Sequence, residues 1–129
     1  MELKKKEFKY KGMTIEELKK LDVREFAKYV KSRQRRNILR NFQEIEKFVN
    51  RINQKKKTKI RTHLRDLVVV PQMIGMKISI HNGNTFVPIE IIGEMLGHKL
   101  GEFSPTRNRV KHGSAGLGAT KGSRAKSKK

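Results

Sequence analysis

The sequence predicts a small α+β domain. Amino-terminal helices precede a mixed or antiparallel sheet of about three strands that includes a β-hairpin. Three observations carry this. Ile38, Phe42, Ile45, Val49 and Ile52 recur at spacings of 4, 3, 4 and 3, one face of a helix. Further on the period changes to two, where Met76, Ile78 and Ile80 alternate with Lys77, Ser79 and His81. Asn82-Gly83 follows directly, a pair suited to a type I′ hairpin turn because both residues tolerate positive φ.

Taken in chain order, Thr14-Ile15-Glu16-Glu17 is a capping box, with Met13 and Leu18 placed as a hydrophobic staple. It predicts a short helix to about Leu21. Asp22-Val23-Arg24-Glu25 is a second start signal, leading to a helix whose apolar face is Phe26, Tyr29 and Val30. Ser32 is the candidate cap of a third, longer helix that carries the 4-3-4-3 stripe. Leu67-Val68-Val69-Val70, β-branched and ended by Pro71, reads as a strand. Phe86-Val87-Pro88-Ile89 returns antiparallel from the hairpin, and Pro88, with no N–H, belongs on an edge or at a bulge. A helical turn at Glu94-Met95-Leu96 precedes Gly97.

Charge points to the partner. The 129 residues hold 32 Lys and Arg against 12 Asp and Glu, a formal charge of +20. Such a charge repels itself in a compact body. A polyanion relieves that repulsion and releases its own counterions on binding. The distribution is uneven: residues 1–62 hold 21 basic and 8 acidic side chains, residues 63–103 hold 3 and 4, and residues 104–129 hold 8 and none. The reading is therefore a basic helical leader (1–58), a near-neutral α+β core (59–110) and a basic, flexible tail (111–129). The tail is rich in Gly, Ser, Lys and Ala, with too little apolar surface to offset the entropy of ordering.

Other function classes find little support. The absence of cysteine excludes disulfides and thiolate metal sites. No apolar run approaches the ~20 residues of a membrane span, and the charged start has no signal-peptide core. A cytoplasmic protein without membrane attachment is expected. The histidines, His63, His81, His98 and His112, stand 18, 17 and 14 apart, which is no metal-ligand spacing. Asp66, Glu90, Glu94 and Glu102, the acids of the core, form no motif pair for acid–base catalysis. Gly113-Ser114-Ala115-Gly116-Leu117-Gly118 lacks the Lys-Ser/Thr ending of a phosphate loop. No enzyme, cofactor or metal is expected.

The candidate site is therefore a set of cations. Arg33, Arg35, Arg36 and Arg40 share about two turns of the third helix, near an end where the helix dipole disfavours positive charge. Lys55, Lys56, Lys57 and Lys59 follow, and Arg61, His63 and Arg65 alternate at strand spacing. Thr106, Arg107, Arg109, Lys111 and His112 cluster after the core. Arginine offers a planar fork that matches phosphate. Eight aromatic residues, mostly on apolar faces, leave base stacking a minor part. Recognition is expected to rest on phosphates, 2′-hydroxyls and RNA shape. The alternative is a DNA- or chromatin-packing protein, with the leading helices imitating a helix-turn-helix.

From Lys59 to Arg107 the chain closely resembles the small-subunit ribosomal protein S-nineteen family, called protein fifteen in eukaryotes. The resemblance rests on Thr62-His63-Leu64-Arg65-Asp66, Pro71-Gln72-Met73-Ile74-Gly75, His81-Asn82-Gly83 and Val87-Pro88. It continues through Glu94-Met95-Leu96-Gly97-His98-Lys99-Leu100-Gly101-Glu102-Phe103 and Pro105-Thr106-Arg107. Ser32-Arg33-Gln34-Arg35-Arg36 in the leader and Gly116-Leu117-Gly118-Ala119-Thr120 in the tail are similar to the archaeal and eukaryotic branch, and His81-Asn82-Gly83 favours an archaeal form. The resemblance implies a structural role in the small-subunit head, bound to the 3′ major domain of the ribosomal RNA. It implies small-subunit protein thirteen as a neighbour and a tail reaching toward the decoding region and the aminoacyl-site tRNA. By position it adds His81, Asn82, Gly83, His98, Lys99, Gly101, Thr106 and Arg107 as RNA contacts.

Overall fold

The computed structural model describes residues 6–55, 59–110 and 121–122. The fold is α+β. A two-stranded hairpin of β1 (Lys9–Tyr10) and β2 (Met13–Thr14) opens it. Helices α1 (Ile15–Lys20), α2 (Val23–Phe26), α3 (Ser32–Arg40) and α4 (Phe42–Gln54) follow. Strands β3 (Ile60–Thr62), β4 (Lys77–His81) and β5 (Phe86–Glu90) form a mixed sheet in the order β3-β4-β5, with β3 parallel and β5 antiparallel to β4. Pro88 lies on the edge strand β5, where its missing N–H breaks no inner ladder.

The capping signals act as read. Thr14 Oγ1 accepts from Glu17 N–H at 3.4 Å, and Glu17 Oε2 accepts from Thr14 N–H at 3.0 Å. Glu25 Oε2 likewise accepts from Asp22 N–H at 3.1 Å. Leu18, Val23, Phe26, Ala27 and Val30 are buried. Tyr29 is exposed, because the chain tightens into a 3₁₀ turn over Ala27–Tyr29 and rotates it off the apolar face.

The long helix expected after Ser32 is two helices. Asn41, at φ −110° and ψ 19°, ends α3 and starts α4. Asparagine competes for backbone hydrogen bonds and favours such junctions. The stripe kept its spacing across the break and so concealed it. Ile38, Ile45, Val49 and Ile52 are buried as the stripe requires, joined by Phe48. Phe42 is only half-buried, with the Arg24 guanidinium 3.9 Å from its ring centroid. Lys31, not Ser32, is the N-cap of α3, and no side chain caps that end.

Two further expectations are corrected. Leu67–Val70 is fully buried but is not a strand: it forms a single antiparallel bridge, Val68 with Lys99, alongside backbone bonds from Val69 N–H to His98 O and from Leu100 N–H to Leu67 O. Pro71 starts a 3₁₀ turn on one side and its partner segment curls into another at Leu100–Phe103, so no ladder propagates. The place beside β4 belongs to β3, which pairs Ile60 with Ile78 and Thr62 with Ile80. The Asn82-Gly83 connection is a four-residue loop, since His81 pairs with Phe86. Among its residues only Gly83 has positive φ, +102°, and Asn82 Oδ1 accepts from the N–H groups of Asn84 and Thr85 at 3.0 and 2.7 Å. The asparagine acts through its side chain and not through a left-handed backbone. The two-residue turn with positive φ at both positions is Lys11-Gly12, at +50° and +81°, joining β1 to β2.

One buried apolar cluster takes residues from both sides of residue 58, from Leu18 to Leu100. Gly93 explains part of that union. A methyl group there would stand 2.6 Å from Phe8 Cδ1, so only glycine lets this ring lie on the core. Gln72 Nε2 adds a bond to Leu21 O at 2.6 Å. Gly93→Ala is therefore expected to lift Phe8 away while the sheet stays folded. Limited proteolysis should then cut near residues 6–12 several-fold faster, and unchanged protection would contradict this packing.

Candidate nucleic-acid interface

Strand alternation sorts the sheet into two faces. Ile60, Ile78 and Ile80 point into the core. Arg61, Ser79 and Pro88 align on the other face, as do His81 and Phe86. His63 continues the Arg61 side two residues on. Three rings meet there: His63 and His81 centroids are 4.4 Å apart, His63 and Phe86 5.1 Å, and His81 and Phe86 4.9 Å. The Arg61 guanidinium sits 5.3 Å from the Phe86 centroid. His63 and Arg61 are exposed, His81 and Phe86 half-buried. The result is a platform of three rings tilted 40° to 71° against one another, with a guanidinium at its edge.

The hairpin loop beside it is preorganised. Gly83 N–H donates to His81 Nδ1 at 3.0 Å. That bond requires a bare Nδ1, so the neutral ring holds its proton on Nε2. A Cβ at Gly83 would meet nothing within 4 Å; the glycine answers to its φ and leaves the loop tip open.

The cationic residues divide into two kinds. Arg33, Arg36 and Arg40 are exposed on α3, Lys55 and Lys59 are exposed around the chain's return to β3, and Thr106, Arg107 and Arg109 are exposed after the core. Arg35 and Arg65 are instead tied to backbone carbonyls, Arg35 from an exposed position and Arg65 from a half-buried one. Arg35 Nε donates to Ala27 O at 3.0 Å, and its Nη2 to Lys28 O and Val30 O at 3.1 and 3.4 Å. It satisfies carbonyls that the end of the preceding helical turn leaves open. Arg65 Nη1 donates to His81 O at 2.5 Å, and Nη2 to Gly101 O and Ser104 O at 2.8 and 2.6 Å. Arg65 thus fastens the end of β4 to the Leu100–Phe103 turn. Gly101 serves the same clamp: a Cβ there would lie 3.0 Å from Arg65 Cβ and 3.1 Å from Arg65 O.

His98 and Lys99 sit in the tight turns that follow Gly97. His98 Nδ1 is 2.8 Å from Glu102 Oε2, and the Phe103 ring is edge-on at 6.0 Å. Lys99 Nζ is 3.8 Å from Asp66 Oδ1; a pair this exposed and long adds little stability. Lys56, Lys57, Lys111, His112 and the Gly113–Gly118 run lie outside the described residues.

Phe86, which joins His63 and His81 in this cluster, was not among the candidates read from the sequence. Its partner across the ladder, His81, was a candidate from the sequence, but the pairing depends on a loop length that Asn82-Gly83 misstated. Among the described residues no helix is long and apolar enough to cross a membrane.

A family model described as ribosomal protein S19 matches residues 30–112. A small ribosomal subunit protein uS19 of Methanocella arvoryzae is 49% identical over 122 residues, covering 94% of this chain and 86% of that protein. Another, of Methanococcoides burtonii, is 43% identical over 121 residues, covering 94% and 88%. The match takes in α3, α4, the whole three-stranded sheet and its ring platform, and the chain belongs to the ribosomal protein S19 family.

Proposed function

We propose that the chain is a non-enzymatic structural constituent of the small ribosomal subunit, in the cytoplasm, that binds small-subunit ribosomal RNA in the head, within the 3′ major domain. Small-subunit protein thirteen is its proposed neighbour, and its tail is proposed to run toward the decoding site and the aminoacyl-site tRNA. The observation that carries the RNA reading is the platform of Arg61, His63, His81 and Phe86. The rings stand at 40° to 71° to one another, so the cluster offers an unstacked base one exposed ring, that of His63, with the Arg61 guanidinium nearby for its phosphate. Folded RNA presents such bases in loops and bulges, whereas a DNA duplex keeps them stacked. The exposed arginines of α3 and the Arg107–Arg109 segment supply phosphate contacts around the platform.

A competition experiment tests this. A labelled transcript of the 3′ major domain is bound at fixed salt and challenged with unlabelled transcript or with duplex DNA of equal length. The duplex is expected to compete at least about tenfold more weakly; equal competition would favour the DNA-packing alternative. In the same assay Phe86→Leu is expected to lower affinity by about 1 kcal/mol, roughly fivefold, with little loss of stability. Unaltered affinity would remove the platform from the interface.

A further inference from the structure

The bonds that preorganise the β4–β5 loop also gather, around one peptide unit, the parts of an acyl-transfer site. Asn82-Gly83 is the only Asn-Gly pair in the chain. A backbone nitrogen that follows asparagine can attack the asparagine's own side-chain amide and close a cyclic imide. Glycine hinders that attack least, because it has no Cβ. The nucleophile is Gly83 N, whose N–H donates to His81 Nδ1 at 3.0 Å, the reach of a general base to the proton it takes. The electrophile is Asn82 Cγ. Its Oδ1 accepts from the N–H groups of Asn84 and Thr85 at 3.0 and 2.7 Å. Two backbone donors on one carbonyl oxygen are the arrangement of an oxyanion hole. Only the backbone carbon, Cα and Cβ of Asn82 separate the reacting atoms, so the chain itself supplies their proximity. Gly83, Asn84 and Thr85 are exposed, and the space beside Gly83 is open to water.

We infer that Asn82 is a self-modifying site: the folded loop converts Asn82-Gly83 to a succinimide, and then to aspartate and isoaspartate, with His81 as the general base. His81 Nδ1 takes the Gly83 amide proton as Gly83 N bonds to Asn82 Cγ. Negative charge gathers on Oδ1, between its two N–H donors. The Cγ–Nδ2 bond then breaks, the imidazolium returns its proton, and the nitrogen leaves as ammonia. Water opens the imide at either carbonyl. One opening restores the ordinary backbone with aspartate, and the other routes the backbone through the side chain. Water is the one co-reactant. Asn84 is the internal contrast, because the N–H that follows it, on Thr85, donates to an amide oxygen and not to a base. The rearrangement stands apart from the RNA reading, but its consequence rests on that reading. A carboxylate appears in a loop proposed to face phosphates, where it repels them.

The full-length protein is incubated at neutral pH in phosphate-free buffer, either folded or unfolded in guanidinium chloride. Trypsin then releases residues 78–99, which carry both loop asparagines. Mass spectrometry and isoaspartyl methyltransferase labelling follow each asparagine separately. The folded parent is expected to convert Asn82 several-fold faster than the unfolded chain does, with Asn84 left intact. His81→Phe keeps a ring against His63 and Phe86 but accepts no proton, and its conversion is expected to fall to the unfolded rate or below. A folded parent that converts Asn82 no faster than the unfolded chain would overturn the site, as would His81→Phe converting at the parental rate. If His81→Phe fails to fold, the comparison of folded with unfolded parent decides alone. Asn82→Asp retains an acceptor for both loop N–H groups, so its urea midpoint should match the parent's. It is expected to bind the 3′ major domain transcript several-fold more weakly. Parental affinity of that variant would overturn the consequence for binding, and the conversion rates would still decide the rearrangement. Failure of the parent itself to bind would overturn the RNA reading and leave the rearrangement to those same rates.

Discussion

Raising the salt from about 50 to about 200 mM is expected to weaken binding to small-subunit ribosomal RNA by about three orders of magnitude. Each phosphate neutralised by Lys or Arg releases condensed counterions, and added salt opposes that release. The size of the effect follows from which cations are available. Arg33, Arg36, Arg40, Lys59, Arg61, Arg107 and Arg109 are exposed, while Arg35 and Arg65 are engaged with backbone carbonyls. Contacts to about six or more phosphates give a loss of ~10³ or greater over this range. Anisotropy titrations at several salt concentrations measure the slope. Replacing Arg33, Arg36 and Arg40 together by Gln should reduce its magnitude by about 3. A parental slope shallower than about −2 would mean that phosphate contacts do not drive binding.

Arg65→Met is expected to destabilise the fold by about 3 kcal/mol. One guanidinium joins three carbonyls, of His81, Gly101 and Ser104, that belong to the end of β4 and to the last turn of the core. Methionine fills much of the volume but donates nothing, so buried acceptors lose a charged partner. Because Arg65 is only partly buried, water recovers some of that loss, which keeps the figure near the low end for a broken buried network. Urea unfolding should show a lower midpoint with an unchanged slope. Arg65→Lys should recover only part of the stability, since an ammonium lacks the planar fork that reaches two directions at once. A change below about 1 kcal/mol would show that the clamp contributes little.

Arg65 also marks where sequence reading reached its limit. Its alternation with Arg61 and His63 suggested three cations on one strand face, yet β3 ends at Thr62 and Arg65 turns into the body. Period alone does not show where a strand stops. The helical leader, the β4–β5 hairpin, the edge position of Pro88 and the capping boxes were legible because each depends on residues a few positions apart. Leu67–Val70 was misread because a run buried on all sides has the composition of a strand, whereas its partner, residues 97–100, curls into tight turns and leaves a single bridge. The break at Asn41 was hidden because the apolar stripe keeps its phase across it. The ring platform depends on contacts between distant segments, such as His63 with Phe86. No local pattern encodes such contacts. The S-nineteen resemblance supplied what local chemistry did not, the identity of the particle to which the chain belongs, and the match over residues 30–112 agrees with it.

The packing of Phe8 on Gly93 has a consequence for the order of events in biosynthesis. The leader is translated first, but the glycine that receives its ring emerges more than eighty residues later. Until then Phe8 lacks its seat on the core, while the leader's helices already have one another to pack against. Contacts this far apart along the chain form slowly and leave sticky intermediates in the interval. Residues 6–12 are thus expected to gain protection from proteolysis only in chains synthesised past residue 93.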